Sequence, residues 1–201
     1  EVEAQIASQR VEASGVLRFN VPLSLGVRYI APLLPAFHEQ HPAVTVDLGL
    51  NDRVVDLTGE GWDLTIRVGR LRDSRLISRR LAHSELMICA SPDYLSRRGR
   101  PRFWTDLSRH DCLGFSLSGI AKPEEWLYGR FRDRRVSVHG PMCANNGDAL
   151  VACASAGLGI IYEPDFIVAD AVRAGALEVL VLDAPSAELG GVHLLYSPDR
   201  A

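Results

Sequence analysis

The stretch Gly15-Val16-Leu17-Arg18-Phe19-Asn20-Val21-Pro22-Leu23-Ser24-Leu25-Gly26 decides how the chain is read. From Val16 to Val21 the side chains alternate, with Leu17, Phe19 and Val21 on one side, which is the period of a β-strand. Beyond Pro22 the period changes. Ile30, Leu33, Leu34 and Phe37 recur at helical spacing, and Ser24 stands where an N-cap would. Pro32 and Pro35 exclude one perfect helix, so a short first turn and a restart near Pro32 are expected, with Pro42 as the stop. Val44 to Leu50 reads as a second strand. Asn51-Asp52 is expected to cap a short helix carrying Val54, Val55 and Leu57, ending at Gly59 or Gly61. Asp63 to Val68 reads as a third strand, and Gly69-Arg70 turns away from it. Strand, helix, strand, helix, strand implies a parallel sheet covered by helices.

Further strands are expected at Leu76 to Ala82 and Glu85 to Ala90. Ser91-Pro92-Asp93 opens a helix through Arg98, and a second runs from Trp104 to Arg109. The second half repeats the alternation. Arg135 to His139 is strand-like, and Asn145-Asn146-Gly147-Asp148 precedes a helix with Ala149, Leu150, Cys153 and Ala154 on one face and Gly157 as its stop. Gly159 to Tyr162 is a buried strand, Pro164 to Ala174 a helix, and Leu177 to Leu182 and Val192 to Tyr196 the last strands. The chain thus reads as α/β, in two similar lobes with a cleft between them. Open sheets of this kind bind ligands beyond the carboxyl ends of their strands.

Composition excludes several classes. The chain has 201 residues, 47% of them apolar and 23% charged, which is ordinary for a globular protein. No apolar run reaches the about 18–20 residues of a membrane span. The net charge of −3 argues against a chain that grips nucleic acid by itself. Lys122 is the only lysine, and the arginine bias is read as a GC-rich genome. Cys89, Cys112, Cys143 and Cys153 form no C-x-x-C pair and sit in apolar stretches, so they are read as buried free thiols of a reducing, cytoplasmic compartment.

Catalytic motifs are largely missing. Cys153-Ala154-Ser155-Ala156-Gly157 lacks the first glycine of a nucleophile elbow. Gly157-Leu158-Gly159 has no third glycine and precedes a strand instead of following one. His38-Glu39-Gln40-His41 falls one residue short of a zincin pair. No nucleophile, base and orienting group come together, so neither enzyme activity nor a cofactor is expected. What remains is a set of polar helix starts, at Ser24, Asn51-Asp52 and Asn145-Asn146, where backbone N–H groups would receive an anion.

In order and spacing these segments resemble the effector-binding domain of LysR-type bacterial transcriptional regulators. The likeness runs from Gly15–Gly26 through Tyr29–Phe37 and His41-Pro42, Asp52–Leu57, Gly61–Leu71 and Ala90–Leu95, and then through Asn146–Leu150, Ala156–Ile161 and Pro164–Phe166. The resemblance implies two Rossmann-like lobes of the periplasmic-binding-protein type, joined by two crossing strands. Residues 15–90 with 192–201 would form the first lobe and residues 91–191 the second, and residues 1–14 the end of a linker helix. It implies an inducer bound between the lobes. From the first lobe the site would take Leu23, Ser24, Leu25, Asn51, Gly69 and Arg70. From the second it would take Phe115, Ser116, Asn145, Asn146, Tyr162 and Glu163.

The expected function is therefore small-molecule sensing for a transcription factor, with an organic acid held at Ser24 and balanced by Arg70. The alternative is a solute-binding protein of a transport system. Expected partners are the effector and further copies of the chain, as a homodimer or tetramer. DNA would be reached only through an N-terminal winged helix-turn-helix lying outside this sequence, and no membrane contact is expected.

Overall fold

The computed structural model describes residues 13–57, 59–71, 75–117 and 122–200. The expected linker helix over residues 1–14 lies outside these, except for residues 13 and 14, which carry no regular structure. β1 (Gly15–Val21) pairs in parallel with β2 (Val44–Leu50) along its whole length and with β3 (Leu64–Gly69) on its other side. β4 (Ile77–Ala90) is a single 14-residue strand. Beyond it come two short pairs. β5 (Gly114–Phe115) lies parallel to β8 (Cys143–Ala144), and β6 (Glu125–Tyr128) forms an antiparallel ribbon with β7 (Arg134–Ser137). β9 (Ile160–Pro164) and β10 (Glu178–Val179) both run antiparallel to the end of β4. β11 (Glu188–Tyr196) returns antiparallel between β3 and β4.

β4 and β11 carry the chain between the two halves. Ile77 to Ala82 pairs with β11 beside the parallel strands, whereas Leu86 to Ala90 pairs with β9. The first core collects Phe19, Val21, Leu25, Ile66 and Val192. In the other half, the period-two alternation of a strand divides the buried residues between two faces. Ile88, Ala90, Ile160 and Tyr162 face Trp104 and Trp126, and Cys89 and Ile161 face Leu150, Ala154 and Val168. The latter side is closed by two helices, α3 (Gly147–Ser155) and α4 (Asp165–Arg173); α1 (Leu34–Gln40) and α2 (Pro92–Arg98) precede them in the chain.

The prolines act as expected. The helical run from Leu23 to Gln40 changes from one α turn (Leu23–Leu25) to a π turn (Gly26–Ile30), a 3₁₀ turn (Ala31–Leu33) and then α1. Pro32 and Pro35 each sit in the first turn of a new piece, where a missing N–H is harmless.

Other expectations need correction. Ser24 does not cap. Pro22 holds that position, and Ser24 lies inside the turn. No helix follows Asn51-Asp52; the segment is a loop that buries Val55 and Leu57. The β-branched pair Val54-Val55 weakens a helix in so short a piece. The strands expected on either side of His83-Ser84 are one strand, because neither residue breaks a ladder. Trp104–Arg109 is 3₁₀ rather than α. Of Leu177 to Leu182, only Glu178–Val179 pairs as a strand. Cys143 is exposed and Cys153 half-buried, so only Cys89 and Cys112 are buried thiols, pushed up to about 12 by burial.

Gly159 enters β9 where no side chain fits. An added Cβ would lie 2.3 Å from the Asp111 carbonyl oxygen, which is held in place by the Ile160 N–H at 2.8 Å. Gly159→Ala is expected to destabilise the fold by about 1–3 kcal/mol, the usual cost of overpacking. Chemical denaturation checks this; an unchanged midpoint would show that the Asp111 loop yields.

Candidate interlobe effector site

While Gly69-Arg70 after β3 lies beside β11, the carboxyl ends of the other first-lobe strands deliver Leu23-Ser24 after β1 and Asn51-Asp52 after β2. The second half brings the start of α3 and the end of β9 to the same place. The junction is made by Asp148, in the first turn of α3. Its Oδ2 accepts from the Ser24 hydroxyl at 2.7 Å, and its Oδ1 accepts from Arg28 Nη2 at 2.5 Å. Arg28 Nε also lies 3.7 Å from Asp170 Oδ2 on α4. Two further contacts cross nearby. Ser84 donates to Asp165 at 2.6 Å, and the rings of Tyr29 and Phe166 meet edge to face.

The charges here influence one another. Burial works to raise the Asp148 carboxyl, but the hydrogen bonds from Arg28 and Ser24 outweigh it and hold the group below the usual carboxylate range. Asp52 is shifted upward, first by burial, with the Leu23 N–H opposing and Asp148 adding to the rise. Glu163, at the end of β9, is only 2% exposed. Burial first, then Asp148 and Asp52, push it up to about 8.

Three buried polar atoms in this region have no hydrogen-bond partner among the described residues. They are Asn51 Oδ1 from the first lobe, and Asn146 Nδ2 and Glu163 Oε1 from the second. Buried polar groups are normally paired, and each exception needs an explanation. Asn146 uses its other side-chain atom, Oδ1, to cap α3 through the Ala149 N–H at 3.1 Å.

The expected residues therefore separate. Ser24 bonds Asp148, Asn146 lies two residues before it, and Glu163 feels its charge, while Leu23 and Asn51 lie beside Asp52. Leu25 is turned into the first core. Gly69 packs against the backbone of Leu189 and Gly190. Arg70 is exposed on the β11 side, where it contributes to lowering Glu188. Phe115 leans on the Leu150 core, and the Ser116 N–H donates to the Ala144 carbonyl at 2.8 Å. Asn145 is exposed. Tyr162 occupies the opposite face of β9 from Glu163. Its ring lies against Trp104 and Trp126, and its hydroxyl accepts from the Ala187 N–H at 2.7 Å.

Sequence reasoning missed Asp52 as a site carboxylate, Asp148, Arg28 and Arg67. Arg28 lies one helical turn beyond Ser24, and Asp148 is the first-turn acid of α3; both spacings were available. Arg67 lines a small pocket with Asn20, Pro22, Asn51, Asp52 and Val68. Its guanidinium donates to the Val55 carbonyl at 2.5 Å and makes no ion pair with a described residue. Burial lowers its pKa, as expected for a cation lacking a counter-charge.

Two lobes joined by crossing strands, with polar groups converging at the strand ends, define the periplasmic-binding-protein-like α/β class. The comparisons agree. Residues 10–201 match the LysR substrate binding domain, and the chain belongs to that family of effector-binding domains of transcriptional regulators. An uncharacterized HTH-type transcriptional regulator of Haemophilus influenzae is 32% identical over all of the chain and 68% of its own length. The regulator CrgA of Neisseria meningitidis is 29% identical over 93% of the chain and 62% of its own length. The solved structure of CrgA superposes with a TM-score of 0.83 at 26% identity, over 99% of this chain and 67% of that one. Full-length AphB of Vibrio cholerae superposes with 0.79 at 27% identity, over 99% and 68% respectively. The chain thus spans about half to two-thirds of such regulators. No helix among the described residues is long and apolar enough to cross a membrane.

Glu163 makes stability depend on pH. Its carboxyl rises from 4.5 to about 8 on folding. Across that window the folded chain keeps a proton that the unfolded chain has released, so this contribution to stability declines as pH rises. Glu163→Gln should therefore melt increasingly above wild type as pH climbs to about 8, with the gap closing toward about pH 5. Melting curves across this range check it, and a gap independent of pH would refute it.

Proposed function

We propose that the chain senses a small organic acid, bound between the lobes, on behalf of a LysR-type transcription factor. The observation that carries this reading is the set of unpartnered buried atoms on Asn51, Asn146 and Glu163, drawn from both lobes around one interlobe contact. A ligand that pairs with them is held by both lobes at once, and so can report its presence through their relative position. The acid's counter-charge is Arg67, beside Asn51, in place of the exposed Arg70. The Ser24 hydroxyl is already engaged by Asp148, so a carboxylate reaching it must displace that side chain.

In the whole regulator this domain would bind no DNA itself. DNA recognition would belong to a separate N-terminal domain, and the protein would act as a homodimer or tetramer in the cytoplasm, without enzymatic activity. The relatives are regulators, and no observation favours the transport reading.

A thermal-shift screen of aliphatic and aromatic acids tests the site. A ligand at about 100 times its Kd stabilises the fold by about 2.7 kcal/mol. Asn51→Ala should leave the unliganded melting temperature nearly unchanged, because Asn51 Oδ1 has no partner to lose, and should remove most of the ligand-induced rise. Arg67→Gln should likewise remove most of the rise for acids, while also losing its hydrogen bond to the Val55 carbonyl. Hits that bind both variants as they bind wild type would place the site elsewhere.

A further inference from the structure

Ser24 and Arg28 stand one helical turn apart on the first lobe and together offer a hydroxyl and a guanidinium. That pairing suits a carboxylate, since the hydroxyl donates to one oxygen and the arginine brings donors and positive charge to the other. The carboxylate they meet comes from the second lobe. Asp148 Oδ2 accepts from the Ser24 hydroxyl at 2.7 Å, and its Oδ1 accepts from Arg28 Nη2 at 2.5 Å. The base that presents Asp148 is fixed. Asn146 caps α3 through the Ala149 N–H, and Gly147 lies so close to Glu163 that an added Cβ would be 2.7 Å from its Oε2. The contact is nevertheless open to solvent, with the Asp148 side chain 37% exposed and that of Arg28 25% exposed.

Resting on the interlobe reading above, we infer that Ser24 and Arg28 form a carboxylate seat which Asp148 occupies as an internal competitor, so that the resting cleft inhibits its own acid binding. A side chain tethered on a rigid helix start presents its carboxylate at a high effective concentration, which a free acid has to exceed. The exchange is nearly matched in chemistry, one carboxylate for another on the same two donors. It is unequal in connectivity, because Asp148 ties the lobes together and a free acid does not. An acid that takes this seat therefore removes both hydrogen bonds that Asp148 makes between the lobes. Arg67 is a separate cation, lining its pocket with Asn20, Pro22, Asn51 and Asp52 but with neither Ser24 nor Arg28. An acid group held there leaves the Asp148 contact in place.

The test is a chemical-shift titration of the intact chain with formate, acetate, propionate, succinate and benzoate, in wild type, Asp148→Ala, Arg28→Ala and the double variant. The expected result is that Asp148→Ala binds at least one of these acids about tenfold or more tightly than wild type, with the shifts centred on residues 24–28. Arg28→Ala also breaks the contact but removes a donor of the seat, so it should show no gain, and the double variant should lose the gain of Asp148→Ala. Should Asp148→Ala fail to fold, Asp148→Asn takes its place, with a smaller gain in the same direction, because the amide oxygen still serves Ser24 and the charge on Arg28 is released. The inference is overturned if the Asp148 variant binds none of the acids more tightly than wild type, or if the double variant keeps the gain. The seat at Asn51 and Arg67 fails separately, when Asn51→Ala and Arg67→Gln leave acid binding by wild type intact.

Discussion

The Asp148 carboxylate between Ser24 and Arg28 is the contact on which the rest of the cleft depends. One oxygen takes a hydroxyl and the other a guanidinium, both from the helical run after β1. The carboxylate stays ionised because these two partners outweigh its burial. Asp52 and Glu163 move upward first because they are buried, and the fixed charge of Asp148 adds to both shifts. Burial and one charged side chain in the first turn of α3 together set the ionisation of these acids.

That contact forms only because β4 and β11 bring the halves together. β4 is one strand in two environments: exposed over most of Ile77–His83, and buried at Ile88–Ala90. Its first part is fastened to β11, and its last part to β9 and β10. A strand paired along its length in this way is a stiff connector. The start of α3 can therefore lie against the turn after β1, although Ser24 and Asp148 are 124 residues apart in sequence. Glu163 and Tyr162 show the same logic on a smaller scale. They are neighbours in β9, and the two-residue period sends one to the cleft and the other to the Trp104 and Trp126 core.

Much of the fold could be read directly. Alternation in Val16 to Val21, the prolines at 32, 35 and 42, and Gly157 closing α3 are local signals, and local signals specify strands, turns and caps. The Asn146 cap and the buried β9 strand were readable for the same reason. The misreadings occurred where an element is held by partners distant in sequence. Asn51-Asp52 looks like a helix cap, but the loop that follows is tied down by burial of Val55 and Leu57. Residues 177–182 have the composition of a strand, but β4 offers only two residues of ladder there.

By itself, the sequence determined the α/β class, the strand–helix order and the family, because periodicity and ordered motifs survive without coordinates. The polar helix starts placed Ser24, Asn51 and Asn146 among the candidates, and the family resemblance added Glu163. Only the tertiary structure decided that Ser24 and Arg28 meet Asp148, that Arg67 lies beside Asn51 and Asp52, and that Arg70 is exposed near Glu188. The physical reason is that charge balance and side-chain pairing are set by through-space distance, desolvation and the face of a strand. None of these is a property of a residue's position in the chain.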